Sequence, residues 1–224
     1  MKRITLFAGH YGSGKTNIAV NYAKFIKNQG FNVSIIDLDI VNPYFRTKDS
    51  ELHLKKYGIP IVSSEYANTN LDAPALPKEI YSSIADKTQY LVIDVGGDDR
   101  GAVALGRFAP DIMEGNDFEM LFVANFYRPL TKTAEEAFTV MREIEIAGHI
   151  PFTGIVHNSN IGDETTKEDL LKKESEIKKL SKLSQLPIVM TTATEKVYNS
   201  VYNECASMFK LELQDKYYKI EKEL

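Results

Sequence analysis

Short apolar runs alternate along the chain with longer segments of helical character. The apolar runs lie at Ile4–Ala8 and at residues 32–38, 59–63, 90–95, 118–125, 152–158 and 187–192. The segments with helical spacing lie at residues 15–29, 48–57, 77–87, 131–146, 165–183 and 195–209. Because the strand segments are apolar throughout, both of their faces are expected to be covered by other elements.

This alternation predicts an α/β fold with a mostly parallel sheet of about seven strands and helices on both faces. No repeat, low-complexity tract or Pro/Gly/Ser-rich linker interrupts the pattern, so residues 1–224 are expected to form a single domain. The last segment, residues 210–224, is predicted to be a C-terminal helix.

A glycine-rich segment follows the first predicted strand. Residues 9–16 read GHYGSGKT and match the P-loop pattern G-x-x-x-x-G-K-[ST] between a strand and a helix. Glycines allow backbone N–H groups to converge on phosphate oxygens. Lys15 is expected to bind the β- and γ-phosphates from an exposed cradle, and Thr16 to offer its hydroxyl to Mg²⁺. The predicted nucleotide-binding residues here are Gly9, His10, Tyr11, Gly12, Ser13, Gly14, Lys15, Thr16 and Asn17.

Carboxylates stand at the ends of two further predicted strands. Asp94 lies at the end of the apolar segment YLVIDV, and the glycine pair Gly96-Gly97 follows this segment. This is the form of a Walker B strand. Asp37 and Asp39 end the second strand. In an open parallel sheet the ligand lies at the carboxyl ends of the strands, and Mg²⁺ prefers hard oxygen ligands. Thr16 and Asp94 are therefore predicted to serve the metal, and Asp37 and Asp39 are further carboxylates at the same edge of the sheet.

These motifs together resemble the MinD/ParA-like branch of P-loop ATPases. This branch belongs to the SIMIBI class, which also holds the CobQ/CobB nucleotide-binding domains. The resemblance implies a mostly parallel sheet and ATP-driven switching, with residues 37–46 as switch I and residues 96–107 as switch II. It also implies that Asp39 orients or activates the attacking water while Asp37 supports the Mg²⁺ shell. Lys15 and Asp39 are the catalytic residues under this interpretation.

The P-loop departs from that branch at one position. The branch usually has a signature lysine where this chain has His10, and Tyr11 replaces the first glycine of the following pair. In relatives that lysine reaches the phosphates of a second subunit. Because this chain lacks the lysine, the sequence does not decide whether the protein forms such a homodimer. The sequence does not decide which arginine, if any, places positive charge near the phosphates; the candidates are Arg46, Arg100, Arg107 and Arg128.

The base is predicted to be adenine. GTPases with the N-K-x-D motif use its Asp to bind guanine, whereas this chain has Asn158 followed three residues later by Ile161. The resemblance implies that Asn158 contacts the edge of the base and that residues 192–195 line the base pocket. A turn-forming role for Asn158 is the alternative.

The composition of the chain bears on its ligands and its location in the cell. The formal net charge of −4 argues against nucleic acid as a ligand, and a single cysteine is typical of a reducing compartment. No apolar run has the length of a transmembrane helix, and the charges of the tail balance, so no membrane binding is expected. A cytoplasmic protein is the expectation.

Three functions stay open from the sequence. The first is a slow, Mg²⁺-dependent ATPase that acts as a nucleotide switch for an unidentified partner protein, binding ATP and releasing ADP. The second is an ATP-dependent small-molecule ligase or kinase of the CobQ/CobB or dethiobiotin-synthetase type. The third is a non-catalytic, nucleotide-gated binding module.

Overall fold

A computed structural model describes residues 1–38, 51–63, 78–97, 99–201 and 207–213. In these residues the strands are β1 (Ile4–Ala8), β2 (Val33–Asp37), β3 (Ile61–Ser63), β4 (Tyr90–Asp94), β5 (Phe118–Ala124), β6 (Gly154–His157), β7 (Ile188–Thr194) and β8 (Met208–Leu211). The helices are α1 (Lys15–Asn28), α2 (Glu51–Lys56), α3 (Lys78–Ala85), α4 (Asp99–Gly106), α5 (Ala109–Glu114), α6 (Ala134–Gly148), α7 (Lys167–Lys172), α8 (Glu174–Ser184) and α9 (Glu195–Val201).

The strands form one sheet in the order β3-β2-β4-β1-β5-β6-β7-β8, and all neighbouring pairs are parallel. The α/β prediction with a parallel sheet is thus confirmed. After β1 the chain moves to one side of the sheet, and after β4 it crosses β1 to continue with β5. Ligands of open α/β sheets bind at such a reversal of strand order, beyond the carboxyl ends of the strands. The segment that follows β1 is placed there.

The strand residues alternate between two buried clusters. In β1, Leu6 belongs to the cluster beneath α4, α5, α6 and α8, whereas Phe7 belongs to the cluster beneath α1. In β4, Ile93 and Val92 divide in the same way. This explains why the strands are apolar throughout, because in a covered parallel sheet both faces lie in a core.

The helices that flank the site have identifiable start signals. Helix α6 begins with a capping box in which the Thr133 side chain accepts from the Glu136 backbone N–H. Its amino terminus also receives Glu176 of α8, whose Oε2 accepts from the Ala134 N–H at 2.7 Å. The charged run predicted as one helix over residues 165–183 forms α7 and α8, which meet at Lys173.

The carboxyl-terminal prediction is wrong in part. A helix was expected over residues 195–209 and another over residues 210–224, but Met208–Leu211 form an eighth strand parallel to β7. Tertiary contacts explain this strand. The Phe209 ring packs against Phe25 of α1, and the Asn21 side chain bonds both the N–H and the carbonyl of Glu212 at 2.9 Å. Residues 214–224 lie outside the described part of the chain.

No helix within the described ranges combines the length and the apolar character that a membrane crossing requires.

Candidate functional site: a phosphate cradle and an adjoining cleft

The P-loop lies between β1 and α1, as the sequence predicts. The helix begins at Lys15 with Gly14 as its N-cap in a left-handed conformation, φ 93°. A Cβ at Gly14 would lie 2.3 Å from the amide nitrogen of Asn158, so no other residue fits. Backbone N–H groups at the start of α1 therefore face the end of the sheet, which is the arrangement that binds anions.

Internal hydrogen bonds hold the loop in a curve. The Ser13 N–H donates to the His10 carbonyl at 3.1 Å, and the Lys15 ammonium donates to the same carbonyl at 3.3 Å. Lys15 is only 6% exposed, so the expectation of an exposed side chain is wrong. Its ammonium also lies against Gly97, where a Cβ would come within 2.8 Å of Nζ. The glycine pair after β4 thus leaves room for this lysine.

His10 and Tyr11 occupy the outer part of the loop. His10 is partly exposed and its Nδ1 lies 3.0 Å from the Tyr11 carbonyl oxygen, while Tyr11 is 53% exposed. Asn17, in the first turn of α1, is partly exposed, and its carbonyl accepts from the Asn21 amide at 2.8 Å. These three side chains are therefore more exposed than Ser13 and Lys15, which are buried in the same loop.

The predicted metal ligands converge beneath the start of α1. Thr16 Oγ1 donates to Asp94 Oδ2 at 2.6 Å. Asp37 and Asp94 are register partners on β2 and β4, so their side chains point to the same face of the sheet. Both are buried, with 6% and 0% exposure. Two neighbouring buried carboxylates require positive charge to stay ionised, because burial alone disfavours the charged form.

This donor set suits Mg²⁺ carried by a phosphate. Mg²⁺ is usually bound through one or two carboxylates together with substrate phosphates, rather than by a full protein cage. Across the residues that the structure describes, no group of three or more His, Cys, Asp or Glu side chains is gathered for a metal. Thr16, Asp37 and Asp94 would therefore hold the ion with the phosphates and water supplying the other oxygens.

Asn158 joins the cradle to the end of β6. Its Nδ2 donates to the Ser13 carbonyl at 2.6 Å, and its Oδ1 accepts from Thr192 Oγ1 at 2.5 Å and from Asn160 Nδ2 at 3.0 Å. The residue is 3% exposed. The side-chain amide of Asn158 thus makes most of its hydrogen bonds within the protein. Its contact with the edge of a base stays a prediction.

A small cleft of about 20 Å³ lies beside Asn158 at the carboxyl ends of β6 and β7. Its polar lining includes Asn160 and Thr194, and its apolar lining includes Val197 of α9 and Leu213 after β8. Thr192, Ala193 and Thr194 line this cleft, and the assignment of residues 192–195 to the base pocket stays a prediction. Among the described residues that line the cleft, none is acidic; they are Asn158, Ser159, Asn160, Gly162, Thr165, Leu170, Thr192, Ala193, Thr194, Val197, Leu211 and Leu213.

The arginine candidates separate in space. Arg128 reaches the P-loop, where its Nε donates to the Gly12 carbonyl at 2.9 Å. Arg107 is exposed in the turn between α4 and α5, and its neighbour Gly106 packs on Ala147 at the far end of α6. Arg46 and the side chain of Arg100 lie outside the described part of the chain, as do Asp39 and most of the predicted switch I.

Several residues of this polar region were not singled out from the sequence. Asn125 and Asn160 follow β5 and β6, and the Asn125 amide donates to the Asn160 carbonyl at 3.1 Å. Gly97 makes room for Lys15, as described above. The only sequence signal for this network is that short polar residues directly follow two buried strands, where the parallel topology brings them together.

Comparison with known proteins gives a match in structure alone. No protein-family model matches the chain, and no curated protein matches it in sequence. FtsY, a cell division protein of Thermotoga maritima, superposes with a TM-score of 0.59 at 16% identity, covering 96% of this chain and 66% of that protein. The signal recognition particle receptor FtsY of Elizabethkingia anophelis, in complex with GDP, gives 0.53 at 17% identity, covering 96% and 61%.

The 54 kDa protein of the signal recognition particle from Aeropyrum pernix, also in complex with GDP, gives a TM-score of 0.55 at 15% identity. The match covers 84% of this chain and 40% of that protein, so the chain spans less than two thirds of each of these structures. At this identity the similarity establishes the fold alone. The predicted α/β fold with a parallel sheet is thus shared with these proteins, while the SIMIBI class stays a prediction. The similarity does not address the MinD/ParA-like branch.

Proposed function

We propose that the chain binds a Mg-nucleoside triphosphate at residues 9–16 and works as a nucleotide-dependent switch. The observation that carries this proposal is the convergence of four side chains at the carboxyl end of the sheet. Lys15 lies within the loop, Thr16 donates to Asp94, and Asp37 stands in register with Asp94. A cation, a hydroxyl and two carboxylates in this order suit a polyphosphate with its magnesium ion.

The adjoining cleft supports a place for the base. Asn158 contacts the P-loop on one side and lines the cleft on the other, so a nucleotide with its phosphates in the cradle would extend toward β6 and β7. We propose ATP as the nucleotide. Guanine recognition of the N-K-x-D kind needs a carboxylate that accepts from the guanine N1–H and N2–H₂ groups, and the described lining residues supply none.

The switching function rests on residues outside the described part of the chain. Asp39, the second acidic residue at the end of β2, is proposed to position the water that attacks the γ-phosphate. Hydrolysis would then change the contacts of switch I and release a partner protein, in the manner of other nucleotide switches. We also propose that the chain is a member of the MinD/ParA-like branch and that it acts on a protein partner.

Competition binding tests the choice of nucleotide. Wild-type protein with Mg²⁺ and a fluorescent ATP analogue is titrated with ATP and, in parallel, with GTP; ATP is expected to compete at least about tenfold better, equivalent to about 1.4 kcal/mol. Ile161→Asp restores the missing carboxylate and is expected to improve competition by GTP. Ile146→Asp adds the same charge on the exposed face of α6 and should leave both values unchanged. Equal competition by GTP in the wild type would contradict the proposed base.

A further inference from the structure

Arg128 is held against the backbone of the P-loop. Its Nε donates to the Gly12 carbonyl at 2.9 Å, and its Cδ would lie 3.6 Å from a Cβ placed on Gly12. The side chain thus covers the outer surface of the loop. The guanidinium thus bonds a peptide carbonyl of the loop directly.

The segment that carries Arg128 is itself fixed. Asn125, which is 1% exposed, accepts at Oδ1 from the Tyr127 N–H at 3.0 Å. The Asn125 carbonyl accepts from the Arg128 N–H at 3.2 Å and from Thr131 Oγ1 at 2.9 Å. The Asn125 amide reaches the Asn160 carbonyl beyond β6. Arg128 therefore projects from a hydrogen-bonded turn rather than from a free loop.

These contacts determine how two successive peptide groups of the P-loop are turned. A trans peptide is planar, so its carbonyl and its N–H point in opposite directions. Arg128 bonds the Gly12 carbonyl on one side of this peptide, and the Ser13 N–H on its other side bonds the His10 carbonyl. Asn158 holds the next carbonyl, that of Ser13, which turns the Gly14 N–H to the opposite side. Inward-facing N–H groups are the donors that a phosphate requires.

We propose that Arg128 is a positioning residue for the phosphate cradle: it keeps the Gly12–Ser13 peptide turned so that the loop is formed before the nucleotide arrives. This inference rests on the proposed nucleotide binding. The P-loop would contact the α- and β-phosphates, which ADP and ATP share. The effect of Arg128 on affinity is therefore expected to be equal for the two nucleotides. The cost of ordering the loop would otherwise be subtracted from the binding free energy of either nucleotide.

The test compares Arg128→Met, which keeps an unbranched stem and removes the donors, with Arg128→Lys, which keeps a charged donor. Arg142→Met is the matched control, because Arg142 is exposed on α6, where it pairs with Glu145. Calorimetric titration gives the affinity of each variant for ADP and for ATP with Mg²⁺. Thermal unfolding without nucleotide and the hydrolysis rate at saturating ATP are measured on the same samples.

Arg128→Met is expected to weaken ADP and ATP binding by the same factor, about 10- to 100-fold, the range for a hydrogen bond from a charged donor. Its melting temperature without nucleotide and its rate at saturation should stay close to those of the wild type. Arg128→Lys should retain part of the affinity that Arg128→Met loses, and Arg142→Met should bind both nucleotides with the wild-type affinity.

Two results would overturn the inference: unchanged affinity in Arg128→Met, or a loss confined to ATP, which would place the guanidinium on the γ-phosphate. If Arg128→Met does not fold, Arg128→Ala, which also removes the donors, decides. Wild-type affinity of Arg128→Ala for both nucleotides, together with the wild-type rate of hydrogen exchange in residues 10–14, would refute the positioning role. Failure of the wild type to bind either nucleotide would instead refute the proposed function.

Discussion

His157, the last residue of β6, is a buried imidazole whose protonation should destabilise the fold. Its side chain is 3% exposed and its ring centroid lies 6.4 Å from that of Phe126. Within the described part of the chain, its Nε2 has no hydrogen-bond partner. Burial lowers the pKa of His157 to about 4, although the negative charge of Glu174 acts in the opposite direction.

The direction of the pH effect follows from proton linkage. The pKa of His157 is lowered on folding from 6.5 to about 4, so the unfolded chain binds more protons between these values. The contribution of the neutral imidazole to the free energy of unfolding is therefore complete above pH 6.5 and is lost as the pH falls toward 4. At pH 5 the loss amounts to about 2 kcal/mol relative to pH 7.5.

The experiment is urea unfolding of the wild type and His157→Leu at a series of pH values between 5 and 8. Leucine has a similar volume and does not titrate, so the difference between the two curves isolates the imidazole. The wild type is expected to lose about 2 kcal/mol more than the variant between pH 7.5 and pH 5. His149→Asn, which removes an exposed imidazole at the end of α6, should follow the wild type. Parallel curves for the wild type and His157→Leu would refute the reasoning.

The remaining predictions concern the cradle. Asp94→Asn should remove the Mg²⁺ dependence of ATP binding. Asp39→Ala should leave the affinity for Mg-ATP nearly unchanged and slow single-turnover hydrolysis by about 10²–10⁴-fold, so a wild-type rate in this variant would contradict the proposed role of Asp39. Gly14→Ala should lose nucleotide binding and unfold at lower urea concentration than Gly30→Ala. Both glycines have positive φ, 93° and 86°, but a Cβ at Gly30 would contact nothing within 4 Å, so equal effects would contradict the close approach of Asn158.

Much of the site was accessible from the sequence because its parts are local. The P-loop, the strand before it and the helix after it lie within residues 4–28, and their pattern predicts them directly. Asp94 was identified because it ends an apolar run, and the parallel topology brings the ends of such runs together, whereas Asp37 was assigned to the metal by the family resemblance. The apolar spacing predicted the start of α6 to within a few residues, and in the structure a capping box of Thr133 and Glu136 fixes that start.

What the sequence did not predict depends on contacts between distant segments. Strand β8 is only four residues long and its apolar pattern is compatible with a helix; its pairing with β7 and the packing of Phe209 on α1 decide the matter. The sequence offered four arginines for the phosphates without a means of choosing. Only the fold shows that the turn after β5 brings Arg128 to Gly12, while Arg107 lies at the other end of α6.

The most direct test of the account is calorimetric titration of Mg-ATP into the wild type, Lys15→Ala and Lys27→Ala. Lys15 is the cation within the cradle, while Lys27 lies in the last turn of the same helix. Circular dichroism establishes that each protein is folded. The account predicts that the wild type and Lys27→Ala bind Mg-ATP with the same affinity and that folded Lys15→Ala shows no tight binding. Wild-type affinity in folded Lys15→Ala would contradict the assignment of residues 9–16 as a phosphate cradle.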